Sequence, residues 1–289
     1  MSVEIKENKM LFGGELKVTY DEILESAGVI DNDIVYISGS LVEGYVDRFA
    51  KGMGNLYSDI DVFIIREHID YVKTNAVYTS DVNKIFFCDR LMLDIEVFDK
   101  DYVIALSETL SELEIKKDIR ISNVLKEKLN KGNDYDFINS FLNRLLYSIC
   151  IYGEESYLEI KNNMNFKKFL ELRKYELINF IDNVYSDVTG NMLAREIDAA
   201  LYSFRLILKK ILEVALAEEE IFVDRDKWIS LKFTNLVNQK NIYENIHSIY
   251  RNINRGDLLN DNTCLREMEY FLPLMQKELE KIVLGGLEI

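Results

Sequence analysis

Two aspartates two positions apart, Asp59 and Asp61, are the residues of this chain best placed to do chemistry, because of what precedes them. They belong to the stretch IVYISGSLVEGYVDRFAKGMGNLYSDIDVFII, residues 34–65. It reads as a strand, a Gly-Ser turn, a short helix, a loop and a second strand that carries Asp-Ile-Asp. Side chains two apart on a strand point to one face, with their backbone positions roughly 6–7 Å apart. Two carboxylates so placed can converge on a pair of divalent metal ions. The turn at Gly39-Ser40 offers backbone N–H groups and a hydroxyl to phosphate oxygens. Glycine there permits a tight turn and a close phosphate approach. A metal pair beside a phosphate cradle is the equipment that nucleotidyl transfer needs.

The flanks decide how the two acids are read. Ile60, Val62, Phe63, Ile64 and Ile65 are the residues of a buried strand. Acids at the mouth of such a strand are costly unless they are paired or hold a metal. A pair of acids on an exposed strand edge would not have these neighbours. Further on, MLDIEVF reads as another strand and places Asp94 and Glu96 on one face. Either could supply a third carboxylate, and Glu96 could instead pair with a base.

The surrounding elements follow from periodicity. Residues 16–27 suggest a helix with its acids on one side, and 33–38, 60–65, 84–87 and 91–98 suggest strands. From about Asp101 onward the pattern is helical. Helices are expected over 102–113, 119–129, 136–152, 166–187, 192–218, 226–238, 242–254 and 264–284. Gly132-Asn133, Gly190-Asn191 and Gly256-Asp257 punctuate them. The clearest apolar stripe is Leu193, Ile197, Ala200, Leu201, Phe204, Leu208, Ile211, Leu212 and Ala215. The fold class expected is α/β (α+β), a mixed sheet over residues 1–115, followed by an all-α helical bundle over 116–289.

Composition narrows the partners. Of the net charge of −15, −13 comes from residues 1–115, which hold 10 basic and 23 acidic residues. Binding to long nucleic acid needs a basic footprint, so a nucleic-acid partner is not expected. A local basic cluster is Lys167, Lys168, Arg173 and Lys174 on one expected helix. A metal-bound nucleotide with a cationic small acceptor suits the acidic half better, by steering. The acceptor would sit between the two domains, a common place for small-molecule sites. No apolar run approaches the roughly 20 residues of a membrane span, and MSVEIKENKM carries no signal-peptide apolar region. Cys88, Cys150 and Cys264 are few and widely spaced, as expected of reduced thiols in a cytoplasmic protein.

Gly-Ser, a spacer, Asp-apolar-Asp and then a strand with another carboxylate resemble the DNA polymerase β-type nucleotidyltransferase superfamily. The resemblance covers roughly residues 30–100 and rests on Gly39-Ser40, Asp59-Ile60-Asp61 and MLDIEVF. It implies a small mixed, twisted sheet flanked by helices and a reaction that uses two Mg²⁺ ions. Asp59 and Asp61 would hold both metals. The family pattern of apolar-Asp-apolar favours Asp94 over Glu96 as the third ligand. Gly39 and Ser40 would hold the β- and γ-phosphates of a nucleoside triphosphate, ATP on family frequency.

The helical remainder is similar in layout to the second domain of kanamycin-type antibiotic nucleotidyltransferases. In it, DRDKWISLKF carries Lys227 and Lys232 beside Trp228. A lysine there could offset the charge of departing pyrophosphate, or both could snorkel around a buried tryptophan. The chain departs from the family in its spacer, since 18 residues separate Ser40 from Asp59. That length is either a surface insertion or a loop that brings Arg48 or Lys51 over the nucleotide. His68 and His247 have no partners that suggest a catalytic role. Two other readings stay open: transfer to a protein or tRNA, and a non-catalytic regulatory or partner-binding protein on the same fold.

Overall fold

A computed structural model gives the fold and describes residues 3–6, 8–12, 16–55, 58–67, 78–87, 91–115, 135–255 and 260–284. The helix expected over 119–129, Cys88, His68 and two of the three Gly-Asn or Gly-Asp punctuation points, at 132–133 and 256–257, lie outside them. By contacts the described residues form two units. The first takes in residues up to Glu114 together with Tyr135–Lys168, and the second takes Ile115 and the residues from Phe169 onward. The architecture is α+β, with two sheets in the first unit and helices in the second.

The first unit opens with a small antiparallel sheet of β1 (Val3–Lys6), β2 (Lys9–Phe12) and β3 (Leu16–Thr19). The helix expected from residue 16 therefore begins only at α1 (Tyr20–Ser26). Leu16–Thr19 alternates and pairs with β2, and Thr19 then caps α1 in a reciprocal box with Glu22. A cap residue takes extended backbone, so strand and helix meet at Thr19 without a loop.

The main sheet has β4 (Ile34–Ser38), β5 (Ile60–Arg66), β6 (Tyr78–Phe87), β7 (Leu91–Asp99) and β8 (Ile149–Tyr152), in the order β6-β7-β5-β4-β8. Only β5 and β7 run parallel. One face carries Val35, Ile37, Ile60, Val62, Ile64, Leu93 and Ile95, which form a core with Met10, Val18, Ile23, Leu41 and Val42. The small sheet, α1 and α2 (Gly39–Val46) thus cover that face. At the far end of the β4–β5 pair Arg66 grips the buried Asp33 with two bonds, of 2.6 and 2.8 Å.

The other face carries Tyr36, Phe63 and Phe98, whose rings pack in sequence across three strands. The helices that follow the sheet are α3 (Lys100–Glu112), α4 (Tyr135–Leu146) and α5 (Glu154–Asn163). Phe98 meets Phe141 of α4 at 4.7 Å between ring centroids, and Tyr36 meets Tyr157 of α5 at 5.8 Å. The helix expected over 136–152 stops at Leu146, and Ile149–Tyr152 becomes a strand. Pairing with β4 wins over local helical periodicity there. Gly153, at φ +75°, then turns the chain where a β-carbon would stand 2.8 Å from the Asp33 carbonyl.

The second unit holds α6 (Phe166–Ala194), α7 (Ile197–Glu218), α8 (Asp226–Val237), α9 (Glu244–Arg255) and α10 (Asp261–Val283), with the first residues of α6 assigned to the first unit. The expected helix 192–218 is two helices, broken where Arg195 takes φ +60°. Gly190-Asn191 lies inside α6 instead of ending it. Leu193, read as part of the apolar stripe, lies before the break and is 88% exposed. The rest of the stripe, apart from the half-buried Leu201, is buried in α7. Among the described residues no helix is long and apolar enough to cross a membrane.

Candidate active site

Three neighbouring strands carry the candidate acids in rows. Ser38 of β4 stands opposite Asp61 of β5, and Asp61 stands beside Asp94 of β7. Adjacent strands are about 4.8 Å apart, so these two carboxylates belong to one patch. Asp61 is buried and Asp94 half-buried. Asp59 lies one residue before β5 and is exposed. Asp61 and Asp94 are thus brought together, and Asp59 stands at the strand mouth. Among the described residues no three Asp, Glu, His or Cys side chains are gathered into one ion-binding cluster.

Gly39 opens α2 at φ +76°, directly after β4. A β-carbon on it would lie 1.7 Å from Asp61 Oδ2 and 2.5 Å from Asp61 Cγ. The helix start is therefore pressed against the Asp61 carboxylate, and no larger residue fits without moving it. Ser40 follows in the first turn of α2, half-buried. The Gly-Ser turn expected from sequence is the start of this helix, and it adjoins the acid row.

Two residues along each strand, on the same face, lies a second row: Tyr36, Phe63 and Glu96. Glu96 accepts a 2.7 Å charged hydrogen bond from Arg144 of α4, whose guanidinium carbon stands 5.1 Å from the Phe63 ring centre. Of the two roles open to Glu96, pairing with a base is the one for which the fold supplies a partner. The Tyr36 hydroxyl is fully buried and has no hydrogen-bond partner among the described residues. Burial, then the charge of Glu96, hold its phenol well above the usual tyrosine range. Tyr36→Phe is expected to raise unfolding stability by about 1 kcal/mol, since it removes an unsatisfied polar group. Denaturant titration checks this, and a clear loss of stability would mean that the hydroxyl is satisfied after all.

The long spacer is folded onto α2. Ala50 and Met53 are buried in it. A β-carbon on Gly44 would meet the Met53 carbonyl at 2.7 Å, and one on Gly54 would meet the Ser40 carbonyl at 2.9 Å. Arg48 and Lys51 border a cavity of about 810 Å³ that is shared with Tyr45 and Val46, near the C-terminal end of α2. Gly39 and Ser40, at the opposite end of the helix, are not part of its lining.

The helical unit treats its two candidate lysines differently. Lys232 is 1% exposed, and its ammonium donates to the Phe222 carbonyl. Its charge is enclosed among α8 and the α7–α8 connection, whereas the sequence suggests a role at the triphosphate. Lys227 is exposed, with its ammonium 5.0 Å from the centre of the Trp228 ring, and Trp228 is half-buried. In the expected basic cluster Arg173 pairs with Glu176 at 2.5 Å and lies 3.6 Å from Glu213, and Lys174 pairs with Glu218 at 2.5 Å. Half of that cluster is therefore neutralised within the helices.

Sequence reasoning missed Ser38, Tyr36, Asn143 and Arg144. One signal was available for Arg144: it follows Phe141 and Leu142 and precedes Leu145 on a strongly amphipathic helix. A cation beside that apolar stripe asks for a buried partner. No family model matches this chain, and no curated protein matches it.

Proposed function

We propose that this chain is a metal-dependent nucleotidyltransferase that moves a nucleoside monophosphate from a nucleoside triphosphate to a hydroxyl of a small molecule. The observation that carries this reading is the register of Asp61 beside Asp94, with the start of α2 at Gly39 packed against Asp61. Hard carboxylate oxygens of this kind suit Mg²⁺. Asp61 and Asp94, with Asp59 at the strand mouth, are the residues that would hold it. When bound, Mg²⁺ supplies positive charge to the triphosphate and makes the acceptor hydroxyl more acidic.

The chain's own residues have separate tasks in this reading. Backbone N–H groups at Gly39 and Ser40, with the Ser40 hydroxyl, bind the β- and γ-phosphates. Asp94 orients the acceptor and takes part in removing its hydroxyl proton. The acceptor oxygen forms a bond to the α-phosphorus as the bond to pyrophosphate breaks, and pyrophosphate leaves with its electron pair. ATP is the co-substrate proposed, on the family resemblance.

The excess of acid in residues 1–115 favours a cationic acceptor, such as a polyamine or an aminoglycoside, over nucleic acid. The pairing of Arg173 with Glu176 of its own helix and of Lys174 with Glu218 of α7 points the same way. The test is incubation of the purified chain with Mg²⁺, each α-labelled nucleoside triphosphate and a panel of cationic hydroxylated acceptors. The expected result is a labelled acceptor whose mass has grown by one nucleotide, with stoichiometric pyrophosphate. Absence of both products across all four nucleotides would sink the proposal, and tight tRNA binding at moderate salt would overturn the small acceptor alone.

A further inference from the structure

The C-terminal end of α4 bonds to α2, β4 and β7, the segments around the acid row. Asn143 donates to Glu43 of α2 at 3.4 Å, and both side chains are buried. Arg144 donates to Glu96 of β7 at 2.7 Å, with 7% of the arginine side chain and 15% of the glutamate exposed. The backbone carbonyl of Tyr147, just past the helix, accepts the Ser38 hydroxyl of β4 at 3.1 Å. The partners are 100, 48 and 109 positions apart in the chain. Gly39 opens α2, Asp94 lies two residues before Glu96 on β7, and Ser38 stands opposite Asp61. One helix end therefore holds the Gly39 turn, the Asp94 strand and the strand facing Asp61.

We propose that Arg144 is a positioning residue of the acid site: by binding Glu96 from a helix end that also holds α2 and β4, it sets Asp94 beside Asp61 and keeps Glu96 out of the metal-binding set. The inference rests on the metal-dependent reading above. Three features of the pair support it. The guanidinium is buried over Phe63, where a charged group keeps a fixed geometry only if its partner is fixed too. The Glu96 carboxylate already has a cation as its partner at 2.7 Å, which offsets the negative charge it offers a second one. The pair also sits in the row directly behind Asp61 and Asp94, so a shift of Arg144 moves β7 at the acids themselves.

The sign of one effect separates positioning from charge. Removing a cation near a divalent-metal site should tighten metal binding if charge alone mattered. Weakening would report lost geometry. The experiment measures binding of Mn²⁺ alone, by electron paramagnetic resonance, to wild type, Arg144→Met, Glu96→Gln and Asp94→Asn. Hydrogen exchange of the β7 and α2 amides is followed in the metal-free forms. Glu96→Gln is the mild variant, because its amide can still accept from Arg144.

The expected results are a Kd for Mn²⁺ at least ten-fold higher in Arg144→Met and at least a hundred-fold higher in Asp94→Asn. Glu96→Gln should lose less than ten-fold, and exchange at β7 should quicken in Arg144→Met. A loss in Glu96→Gln equal to that in Asp94→Asn would make Glu96 a ligand and overturn the proposal. Unchanged or tighter binding in Arg144→Met would overturn it as well. If wild type takes up no Mn²⁺, the metal-dependent reading fails on its own. Exchange then decides whether Arg144 positions β7: quickened exchange in Arg144→Met upholds that role, and unchanged exchange refutes it.

Discussion

Asp61→Asn and Asp94→Asn are each expected to lower nucleotidyl transfer by more than about a hundred-fold, the loss typical of even an outer partner of a metal site, while the fold persists. The two acids stand in register on adjacent parallel strands, so neither can be replaced by a neighbour from its own strand. Asparagine keeps the volume and removes the charge that a cation needs. Like charges at this spacing repel when no cation lies between them. Either variant should therefore be at least as stable as wild type in metal-free buffer. Labelled-product assays and metal-free denaturant curves, run side by side, check both halves. Full activity in either variant would end the two-acid reading. Activity loss accompanied by unfolding would show instead that the acids serve the structure.

Gly39→Ala should abolish the same activity with only a modest effect on stability. An L-residue at φ +76° costs roughly 1–2 kcal/mol. The added β-carbon would also overlap Asp61 Oδ2 at 1.7 Å, so the Asp61 side chain would have to turn away. The fold survives that rotation, but the acid row does not. The readouts are the thermal midpoint, expected to fall by several degrees, and Mg²⁺-dependent transfer, expected to vanish. A variant that keeps its activity would mean that the start of α2 and Asp61 are not parts of one site.

The two predictions differ in how much of them could be read along the chain. Asp61 and Gly39 are conspicuous locally, one inside a run of β-branched residues and the other directly after one. Their mutual contact is a property of the antiparallel β4–β5 register, which aligns Ser38 with Asp61 across the whole spacer. Asp94 and Glu96 look equivalent on one strand. What separates them is Arg144, 48 positions beyond Glu96. Lys232 and Lys227 look equivalent too, until burial encloses one and leaves the other in solvent.

The elements divide along the same line. Strands 34–38, 60–66 and 91–99 and the five long helices of the second unit follow from local apolar spacing, because each hides a face or a stripe that its own residues define. By itself the sequence determined those elements, the acidic character of the first part and the residue types able to bind metal and phosphate. Tertiary structure decided the rest. It made Ile149–Tyr152 a strand instead of the end of a helix, because an unpaired β4 edge was available to bond with it. It split residues 16–27 between a strand and a helix, because β2 offered Leu16–Thr19 a partner. It also chose which charges face solvent and which face each other. Strand pairing and burial are energies between segments distant in the chain, and no local window of sequence contains both partners.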